Sequence, residues 1–272
     1  MAMPHSEKST TAFHRRYGPW AVITGASDGT GAAYARQLAA KGLNLVLIAR
    51  RPGPLNELAR ELEQQHGIST RTANTDLYAD GAADQVLSVA QGLNVGLFVS
   101  NAGADTNDKE FLAAPLDAWR QLINRNVLAV TELAYGFAGP MRYRRRGGII
   151  LMSSAAGLGG QPGVAVYSST KAYDLNLAEG LWAELKEYGI DVLAGVCPVM
   201  ETPSFRRNHK AEIPGIFDPE DVVTTLLERL PDGPTHIFPF GPDAANASTI
   251  EKARRDRVVV VANLVKQLFH KP

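Results

Sequence analysis

The feature that most constrains this chain is an alternation of short β-branched or apolar runs with longer segments whose apolar residues recur at helical spacing. Between runs, for example, Leu55, Leu58 and Leu62 share one helix face. Short runs that are apolar at successive positions are typical of parallel strands covered on both faces. The runs are Trp20–Thr24, Asn44–Ala49, Thr70–Asn74, Val95–Ser100, Gly148–Ser153, Ile190–Val196 and Thr235–Pro239. The alternation predicts an α/β fold, a doubly wound parallel sheet of about seven strands with helices on both faces.

Charge and cysteine content exclude several classes of function. Lys plus Arg and Asp plus Glu both number 28, so a formal net charge of zero gives no reason to expect a nucleic-acid partner. The basic run at residues 142–146 follows a predicted helix, where cations complement the helix dipole. Cys197 is the single cysteine and favours a reducing, cytoplasmic compartment. No apolar run approaches the roughly 20 residues of a transmembrane span, and no metal site is predicted.

A glycine-rich turn follows the first predicted strand directly. Residues 24–31 read Thr-Gly-Ala-Ser-Asp-Gly-Thr-Gly and open a helical segment. Glycines there permit a tight turn and close approach to a pyrophosphate, while the helix N-terminus offers free N–H groups. Plain loop closure is the alternative interpretation. We predict a Rossmann-type dinucleotide site that includes Gly25, Ser27, Asp28, Gly29, Thr30 and Gly31.

The end of the second predicted strand indicates which dinucleotide binds. An acidic residue normally accepts the ribose 2′-hydroxyl of NAD at this point. The sequence has Arg50 and Arg51 instead, and a guanidinium pairs well with a 2′-phosphate. A pair of solvated charges is the alternative. Asp28 adds a negative charge nearby or caps the following helix. We therefore expect NADP(H), with Arg50 at the 2′-phosphate.

Tyr167 and Lys171 stand four residues apart and so share one face of a predicted helix. Carbonyl reduction needs a proton donor, and tyrosine ordinarily has a pKa near 10. A lysine ammonium one turn away favours the phenolate and makes the proton easier to transfer. The spacing alone is common among surface residues, so it needs support from other motifs.

Together these motifs resemble the short-chain dehydrogenase/reductase family, from about Trp20 to Phe240. The pattern Thr-Gly-x-x-x-Gly-x-Gly and the Tyr-x-x-x-Lys spacing carry the resemblance. The string from Tyr17 to Ala35 is similar more narrowly to the hydroxysteroid dehydrogenase and 3-ketoacyl reductase branch, with Thr30 in place of the usual isoleucine. The last thirty residues or so lie outside the resemblance.

The resemblance implies a catalytic set of Asn126, Ser154, Tyr167 and Lys171. Ser154 stands thirteen residues before Tyr167 and would donate a hydrogen bond to the substrate oxygen. Asn126 matches the asparagine that distorts a long helix and holds a relay water beside Lys171, with Asn124 a nearby rival. The alternatives are a loop-capping serine and a solvent-facing asparagine.

Further cofactor contacts follow from the same resemblance. Asp76 and Leu77 would hold the adenine, and Asn101, Ala102 and Gly103 follow the fourth strand, where Ser100 replaces an asparagine of the family motif. The remaining cofactor contacts are Tyr167, Lys171, Pro198 and Thr202. Thr202 matches the threonine that binds the nicotinamide carboxamide. Val199 replaces the usual glycine, and a branched residue does not readily adopt a positive φ, so we expect a local change in this turn.

We divide the sequence into a flexible arm at residues 1–19, a Rossmann-fold dinucleotide-binding and catalytic domain at 20–245 and a C-terminal helical extension at 246–272. The predicted function is an NADP(H)-dependent oxidoreductase that interconverts a carbonyl and an alcohol on a largely apolar, steroid-like or fatty-acyl-like substrate. The alternative is a catalytically weak, NADP(H)-sensing regulatory protein on the same fold. We expect a homodimer or homotetramer, formed through the long helices that contain Asn126 and Tyr167.

Two segments outside these motifs bear on substrate and assembly. Residues 203–218 lie where the family carries a substrate lid and mix apolar side chains with Arg206, Arg207, His209 and Lys210. They suggest an apolar carbonyl compound with an anionic end, or simply a solvated basic loop over an apolar pocket. Residues 249–270 present an apolar helical face that docks on the domain, pairs with another subunit or lies on a membrane surface.

Overall fold

The computed structural model of the protein describes residues 11–104, 109–208 and 215–269. One parallel sheet of seven strands has the order β3-β2-β1-β4-β5-β6-β7. The strands are β1 Trp20–Thr24, β2 Asn44–Ala49, β3 Thr70–Asn74, β4 Val95–Ser100, β5 Gly147–Ser154, β6 Ile190–Cys197 and β7 Thr235–Ile237. Strand order reverses between β1 and β4, which places a ligand crevice at their carboxyl ends. The predicted α/β fold is confirmed.

Helices cover both faces of the sheet in the described residues. They are α1 Ala12–Tyr17, α2 Gly29–Ala40, α3 Pro52–His66, α4 Ala82–Val89, α5 Leu116–Ile123, α6 Ala129–Arg144, α7 Ala165–Leu185, α8 Pro203–Asn208, α9 Pro219–Arg229 and α10 Ala247–Phe269. The core on one face is built with α2, α3 and α9, and the core on the other with α4, α6 and α7. Ala21 and Ile23 of β1 point to the first core and Val22 to the second, as the alternation along a strand requires.

The edge strand β7 is shorter than predicted. It ends at Ile237 rather than Pro239. The N–H of Phe238 still donates to the carbonyl of Val196 at 3.2 Å. Because proline has no N–H, Pro239 cannot continue that ladder.

The N-terminal arm predicted for residues 1–19 is wrong from residue 11 onward. Thr11 caps α1 by accepting from the N–H of His14 at 3.1 Å. Tyr17 is only 2% exposed, and its hydroxyl donates to Asp191 Oδ2 at 2.6 Å. The rings of Phe13 and Tyr17 pack together with centroids 4.8 Å apart. The polar composition of the segment did not indicate this aromatic pair. Residues 1–10 lie outside the described part of the chain.

Asp191→Ala should lower the free energy of unfolding, because it removes the acceptor of the buried Tyr17 hydroxyl and a partner of Arg16. Leaving a buried donor without a partner costs about 1–3 kcal/mol. Urea unfolding followed by circular dichroism measures the change. Asp117→Ala is the control, since Asp117 pairs with Arg120 on the surface and should change stability little. Equal stability of Asp191→Ala and wild type would show that α1 is not anchored through Asp191.

The arginine run ends α6 and ties it to the chain around it. Arg145 adopts a left-handed conformation with φ of 55° at the end of the helix. Its side chain donates to the carbonyl of Glu187 at 2.7 Å, and that of Arg146 donates to Gly18 at 3.0 Å. The run therefore serves a structural role at the end of α6, where the backbone N–H of Arg145 also donates to the carbonyls of Arg142 and Met141.

Helix α10 docks on the domain by its first half. Arg254 pairs with Glu179 of α7 at 2.6 Å, and Ile250 and Val258 pack on the core. The apolar residues farther along the helix are 40–65% exposed, namely Val259, Val260, Val261, Leu264 and Val265. The docking alternative therefore holds for the first half. Within the described residues, no helix combines the length and the apolar character needed to cross a membrane.

Candidate active site

A cleft of about 610 Å³ opens at the carboxyl ends of the strands, where the sheet order predicts a ligand site. Most of the predicted site residues line it, namely Gly25, Ser27, Asp28, Gly29, Thr30, Arg50, Asp76, Leu77, Asn101, Ala102, Gly103, Tyr167, Lys171 and Thr202. Gly31, Asn126, Ser154 and Pro198 are not among its lining residues.

The turn between β1 and α2 requires its glycines. Gly25 and Gly29 have φ of +68° and +49°, a region that side chains rarely adopt. A Cβ on Gly31 would lie 2.0 Å from the carbonyl oxygen of Gly25, so the helix packs directly on the turn. Asp28 caps α2 by accepting from the N–H of Gly29 at 2.8 Å. The result is an open helix N-terminus facing the cleft, which suits a pyrophosphate.

Asn101 joins the end of β4 to this turn. Its Nδ2 donates to the carbonyls of Thr24 at 3.1 Å and Gly25 at 3.2 Å. The buried Thr24 hydroxyl in turn accepts from the N–H groups of Asn101 and Ala102. The two central strands are thus held together where the strand order reverses.

Charged side chains surround one mouth of the cleft. Asp28 Oδ2 accepts from Arg51 at 3.0 Å and from Arg207 of α8 at 2.8 Å. Burial opposes ionisation, but the hydrogen bonds from Arg207 and from the N–H of Gly29 hold the pKa of Asp28 below its usual range. The guanidinium of Arg50 lies over the Tyr78 ring, 5.4 Å from its centroid. The negative charge of Asp28 is therefore compensated.

Asp76 and Leu77 follow β3 on the same side of the cleft. Leu77 is buried, and Asp76 Oδ1 accepts from the N–H of Tyr78 at 3.1 Å. That turn presents Tyr78 between two guanidinium groups, those of Arg50 and Arg125.

Tyr167 and Lys171 lie side by side on α7 at the far wall of the cleft. Lys171 Nζ is 5.9 Å from the centroid of the Tyr167 ring. The ammonium donates to the carbonyl of Met152 at 2.7 Å and to Asp174 Oδ2 at 3.0 Å. Sequence reasoning did not find Asp174, which stands three residues after Lys171.

Asn126 is fully buried, so the solvent-facing interpretation of this residue is wrong. It lies in a π-helical turn, Asn124–Leu128, between α5 and α6. Its Nδ2 donates to Thr170 Oγ1 at 3.0 Å, which ties it to the helix that carries Tyr167 and Lys171. Its Oδ1 accepts from Arg125 Nε at 2.9 Å. The rival Asn124 contacts the carbonyl of Tyr78 instead, at 3.5 Å.

Ser154 ends β5, and its Oγ accepts from the N–H of Ala156 at 3.2 Å. Ser154 therefore caps the loop after β5, which was the alternative to a catalytic role for this residue. The neighbouring Ser153 lines the cleft, but its hydroxyl donates to the carbonyl of Lys171 at 2.7 Å. Both serines therefore help to hold α7 and the following turn against β5.

The segment after β6 accommodates Val199 without backbone strain. Among the described residues, Arg145 is the non-glycine residue with a positive φ, so Val199 has ordinary backbone angles. Its carbonyl accepts from the N–H of Phe217 at 3.2 Å. Thr202 faces the glycine turn, since a Cβ on Gly29 would lie 3.0 Å from its side chain.

The lid segment is described at residues 203–208 and 215–218, whereas His209, Lys210 and Ile213 lie outside the described residues. Arg206 pairs with Glu201, and Arg207 pairs with Asp28. Phe217 packs edge-on against the ring of Phe238, with centroids 5.9 Å apart. The basic side chains described here already have carboxylate partners in the chain.

Several cleft residues escaped sequence reasoning, namely Thr75, Arg125, Met152, Cys197 and Met200. Arg125 could have been found from its place beside Asn126. The others are ordinary core types that reach the cleft because their strands end there. Burial raises the pKa of the Cys197 thiol to about 12, which makes it a poor nucleophile.

The residues present fit a dinucleotide, because a left-handed glycine turn, an open helix N-terminus and paired guanidinium groups share one cleft. The fold and this cleft define a Rossmann-type dinucleotide-binding protein. The family model described as short chain dehydrogenase matches residues 19–213. The chain belongs to this family, and it is an oxidoreductase that acts on CH–OH or C=O groups with a nicotinamide cofactor.

Similar proteins include named reductases and dehydrogenases. A very-long-chain 3-oxoacyl-CoA reductase of Neurospora crassa is 37% identical over 232 residues, covering 83% of this chain and 69% of that protein. A solved 7β-hydroxysteroid dehydrogenase has a TM-score of 0.81 at 26% identity, covering 93% of this chain and all (100%) of that one. A short-chain dehydrogenase from Sphingobium yanoikuyae in complex with NADPH has a TM-score of 0.79 at 28% identity, covering 89% and 96%.

Proposed function

We propose that this protein is an NADP(H)-dependent oxidoreductase that interconverts a carbonyl and an alcohol on a largely apolar substrate, with Tyr167 as general acid and base. The observation that carries the proposal is the pairing of Tyr167 with the buried Lys171 in the cleft that begins at the glycine turn. No observation favours the regulatory alternative, which would need the glycine turn alone.

The chemistry follows from the residues around the cleft. The glycine turn and Arg50 would hold a reduced nicotinamide cofactor, which would supply the hydride for the carbonyl carbon. Tyr167 donates its phenolic proton to the carbonyl oxygen as that oxygen gains negative charge, and the Lys171 ammonium stabilises the phenolate that remains. Ser154 is proposed to donate a hydrogen bond to the same oxygen, which stabilises charge in the transition state. Asn126 hydrogen-bonds Thr170 of α7 and is proposed to hold a relay water beside Lys171.

The proposed substrate is a 3-oxoacyl thioester, with a ketosteroid as the second choice. Similar proteins are named as reductases and dehydrogenases of these two classes. The aromatic side chains of Phe205 and Phe217 in the lid suit an apolar chain or ring. Since Arg206 and Arg207 already pair with carboxylates, the proposal rests on the apolar part of the substrate rather than on an anionic end.

A substrate panel tests this function. Purified protein should oxidise NADPH, followed by its absorbance, when given long-chain 3-oxoacyl thioesters or ketosteroids. Short polar ketones should be reduced more slowly, because they leave the apolar lid without contacts. If NADPH consumption with every ketone and aldehyde equals the ketone-free control, the proposed function is wrong.

Arg50→Ala should weaken NADPH binding by about 10- to 100-fold, because it removes charge-assisted hydrogen bonds to the 2′-phosphate. Binding of NADH, which has no such phosphate, should stay within about twofold of wild type. Fluorescence titration measures both dissociation constants. Arg71→Ala is the matched control, since Arg71 lies at the amino end of β3 and donates to the carbonyl of Val89. Equal losses for both dinucleotides would contradict the assignment of NADP(H).

We also propose a homodimer or homotetramer formed through α6 and α7. Exposed apolar side chains near these helices support it, since Leu128 and Tyr135 are 51% and 84% exposed. Light scattering after gel filtration measures the assembly, and a monomer at micromolar concentration would contradict it. The buried, single Cys197 is in keeping with a cytoplasmic compartment.

A further inference from the structure

Helix α7 carries a buried carboxylate that the proposed chemistry does not use. Asp174 is 2% exposed and Lys171 is 4% exposed, yet both are ionisable. Asp174 Oδ2 lies 3.0 Å from Lys171 Nζ. Burying a carboxylate is costly unless it is paired, so its position next to the catalytic lysine calls for a physical reason.

The geometry around Nζ shows what the carboxylate does. An ammonium has three N–H groups. One donates to the carbonyl of Met152 at 2.7 Å and one to Asp174 at 3.0 Å. Nζ also lies 2.6 Å from the position of a Cβ on Gly103, a residue of the cleft wall. The carbonyl of Met152 and the carboxylate of Asp174 therefore hold two of the N–H groups, and the third is available to the cleft.

The charged and titratable groups around this pair come from several elements. Tyr167 faces Lys171 from the same helix, and β5 contributes only the carbonyl of Met152. Cys197 of β6 is close enough to interact with Lys171, but its thiol stays neutral at working pH. Arg125 in the π-helical turn binds Asn126. Asp174 is thus the carboxylate that balances the ammonium within the described residues.

Burial and charge act in opposite directions on this carboxyl group. Burial raises the pKa of Asp174, while the ammonium of Lys171 lowers it, and burial is the larger effect. An ammonium in the same low-dielectric surroundings needs a counter-charge to keep its proton. The pair therefore stabilises both charges in a place where either alone would tend to be neutral.

We propose that Asp174 is a positioning residue for the reaction, which keeps the Lys171 ammonium charged and directed at Tyr167 and the cleft. The inference rests on the proposed function. It goes beyond that function, because it adds Asp174 to Asn126, Ser154, Tyr167 and Lys171. Its role is to set the pH range in which Lys171 is charged. Asp174 does not touch the reacting atoms and acts through Lys171.

Asp174→Asn tests this role, because asparagine keeps the volume and removes the charge. We expect kcat/KM for ketone reduction to fall by about 10-fold, and its alkaline limb to move about one pH unit lower. The direction follows because reduction needs both the ammonium and the phenolic proton. Without the carboxylate, the buried ammonium lacks its counter-charge, and the positive charge that remains favours the phenolate over the phenol, so both required forms are less stable. Asp174→Ser, a smaller neutral residue, is the second variant and is judged by the same criterion.

Glu179→Gln is the matched control. Glu179 is also buried on α7, with 5% exposure, and pairs with Arg254 and Thr235 away from the cleft. Its loss should lower thermal stability and leave the pH profile of kcat/KM unchanged. If the alkaline limb of the kcat/KM profile falls at the same pH in the Asp174 variants as in wild type, the proposal is overturned. An equal shift in Glu179→Gln would also overturn it, because it would indicate a general effect of losing a buried charge.

A second measurement does not depend on turnover. In cofactor-free protein labelled with [¹³Cζ]tyrosine, the Tyr167 resonance, assigned with Tyr167→Phe, should titrate differently in wild type and Asp174→Asn. Identical titration curves would overturn the proposal. If wild type reduces no ketone, the proposed function fails, and the resonance still decides whether Asp174 controls the charges at Tyr167.

Discussion

Tyr167→Phe is expected to lower kcat for carbonyl reduction by about 10³-fold, because it removes the proton donor and leaves the rest of the cleft intact. The phenolic oxygen is the only atom lost. Binding of NADPH should weaken by no more than about tenfold, since the variant loses at most one hydrogen bond to the cofactor while the glycine turn and Arg50 are unchanged. Single-turnover kinetics with saturating NADPH separate the chemical step from product release.

Tyr173→Phe is the control for this variant. Tyr173 lies on the same helix, and its hydroxyl hydrogen-bonds Thr131 Oγ1 at 2.6 Å rather than facing the cleft. It should lower stability slightly and leave kcat within about twofold, as surface and peripheral changes do. A Tyr167→Phe enzyme with wild-type kcat would rule out Tyr167 as the proton donor, while the reaction class would stand.

Gly31→Ala should weaken binding of both nicotinamide dinucleotides by about 100-fold, because the charge-assisted hydrogen bonds of the displaced turn are each worth about 1.5–3 kcal/mol. The added Cβ would lie 2.0 Å from the carbonyl oxygen of Gly25 and 2.8 Å from Asn101 Nδ2. The first neighbour is backbone, and Asn101 Nδ2 is held by its hydrogen bonds to the carbonyls of Thr24 and Gly25, so the turn itself must shift. Isothermal titration calorimetry measures the affinities.

Gly180→Ala gives the matched control for that substitution. A Cβ on Gly180 would meet no atom within 4 Å, although this glycine also lies in a helix. Alanine should stabilise α7 by about 0.5–1 kcal/mol, and cofactor affinity should not change. Unchanged affinity in Gly31→Ala would mean that the turn does not hold the pyrophosphate.

The fold and the cleft were predictable because their signals are local. The five inner strands are short buried runs rich in apolar residues, and such a parallel strand needs no partner information to be recognised. The edge strand β3 is largely polar and only partly buried, so its place in the alternation and its two threonines had to indicate it. The glycine turn and the Tyr167–Lys171 spacing are also local, since both fall within eight residues of sequence. Strand order then brings these two motifs together at the carboxyl ends of the strands.

The features that sequence reasoning missed depend on contacts between distant residues. Asp28 and Arg207 stand 179 positions apart, and Tyr17 and Asp191 stand 174 apart, so no periodicity links them. A polar segment that buries one aromatic ring looks like a flexible arm until its partner is known. Asp174 is different, because it is close to Lys171 in sequence. Its importance comes from burial, which helical spacing alone does not show.

Deuterium transfer tests the central claim most directly. The protein is incubated with NADPH dideuterated at C4 of the nicotinamide and a long-chain 3-oxoacyl thioester, and the product is analysed by mass spectrometry. The account predicts one deuterium on the new carbinol carbon for each NADPH consumed. Product without deuterium, or NADPH consumption without alcohol, would contradict direct hydride transfer between the nicotinamide and the carbonyl.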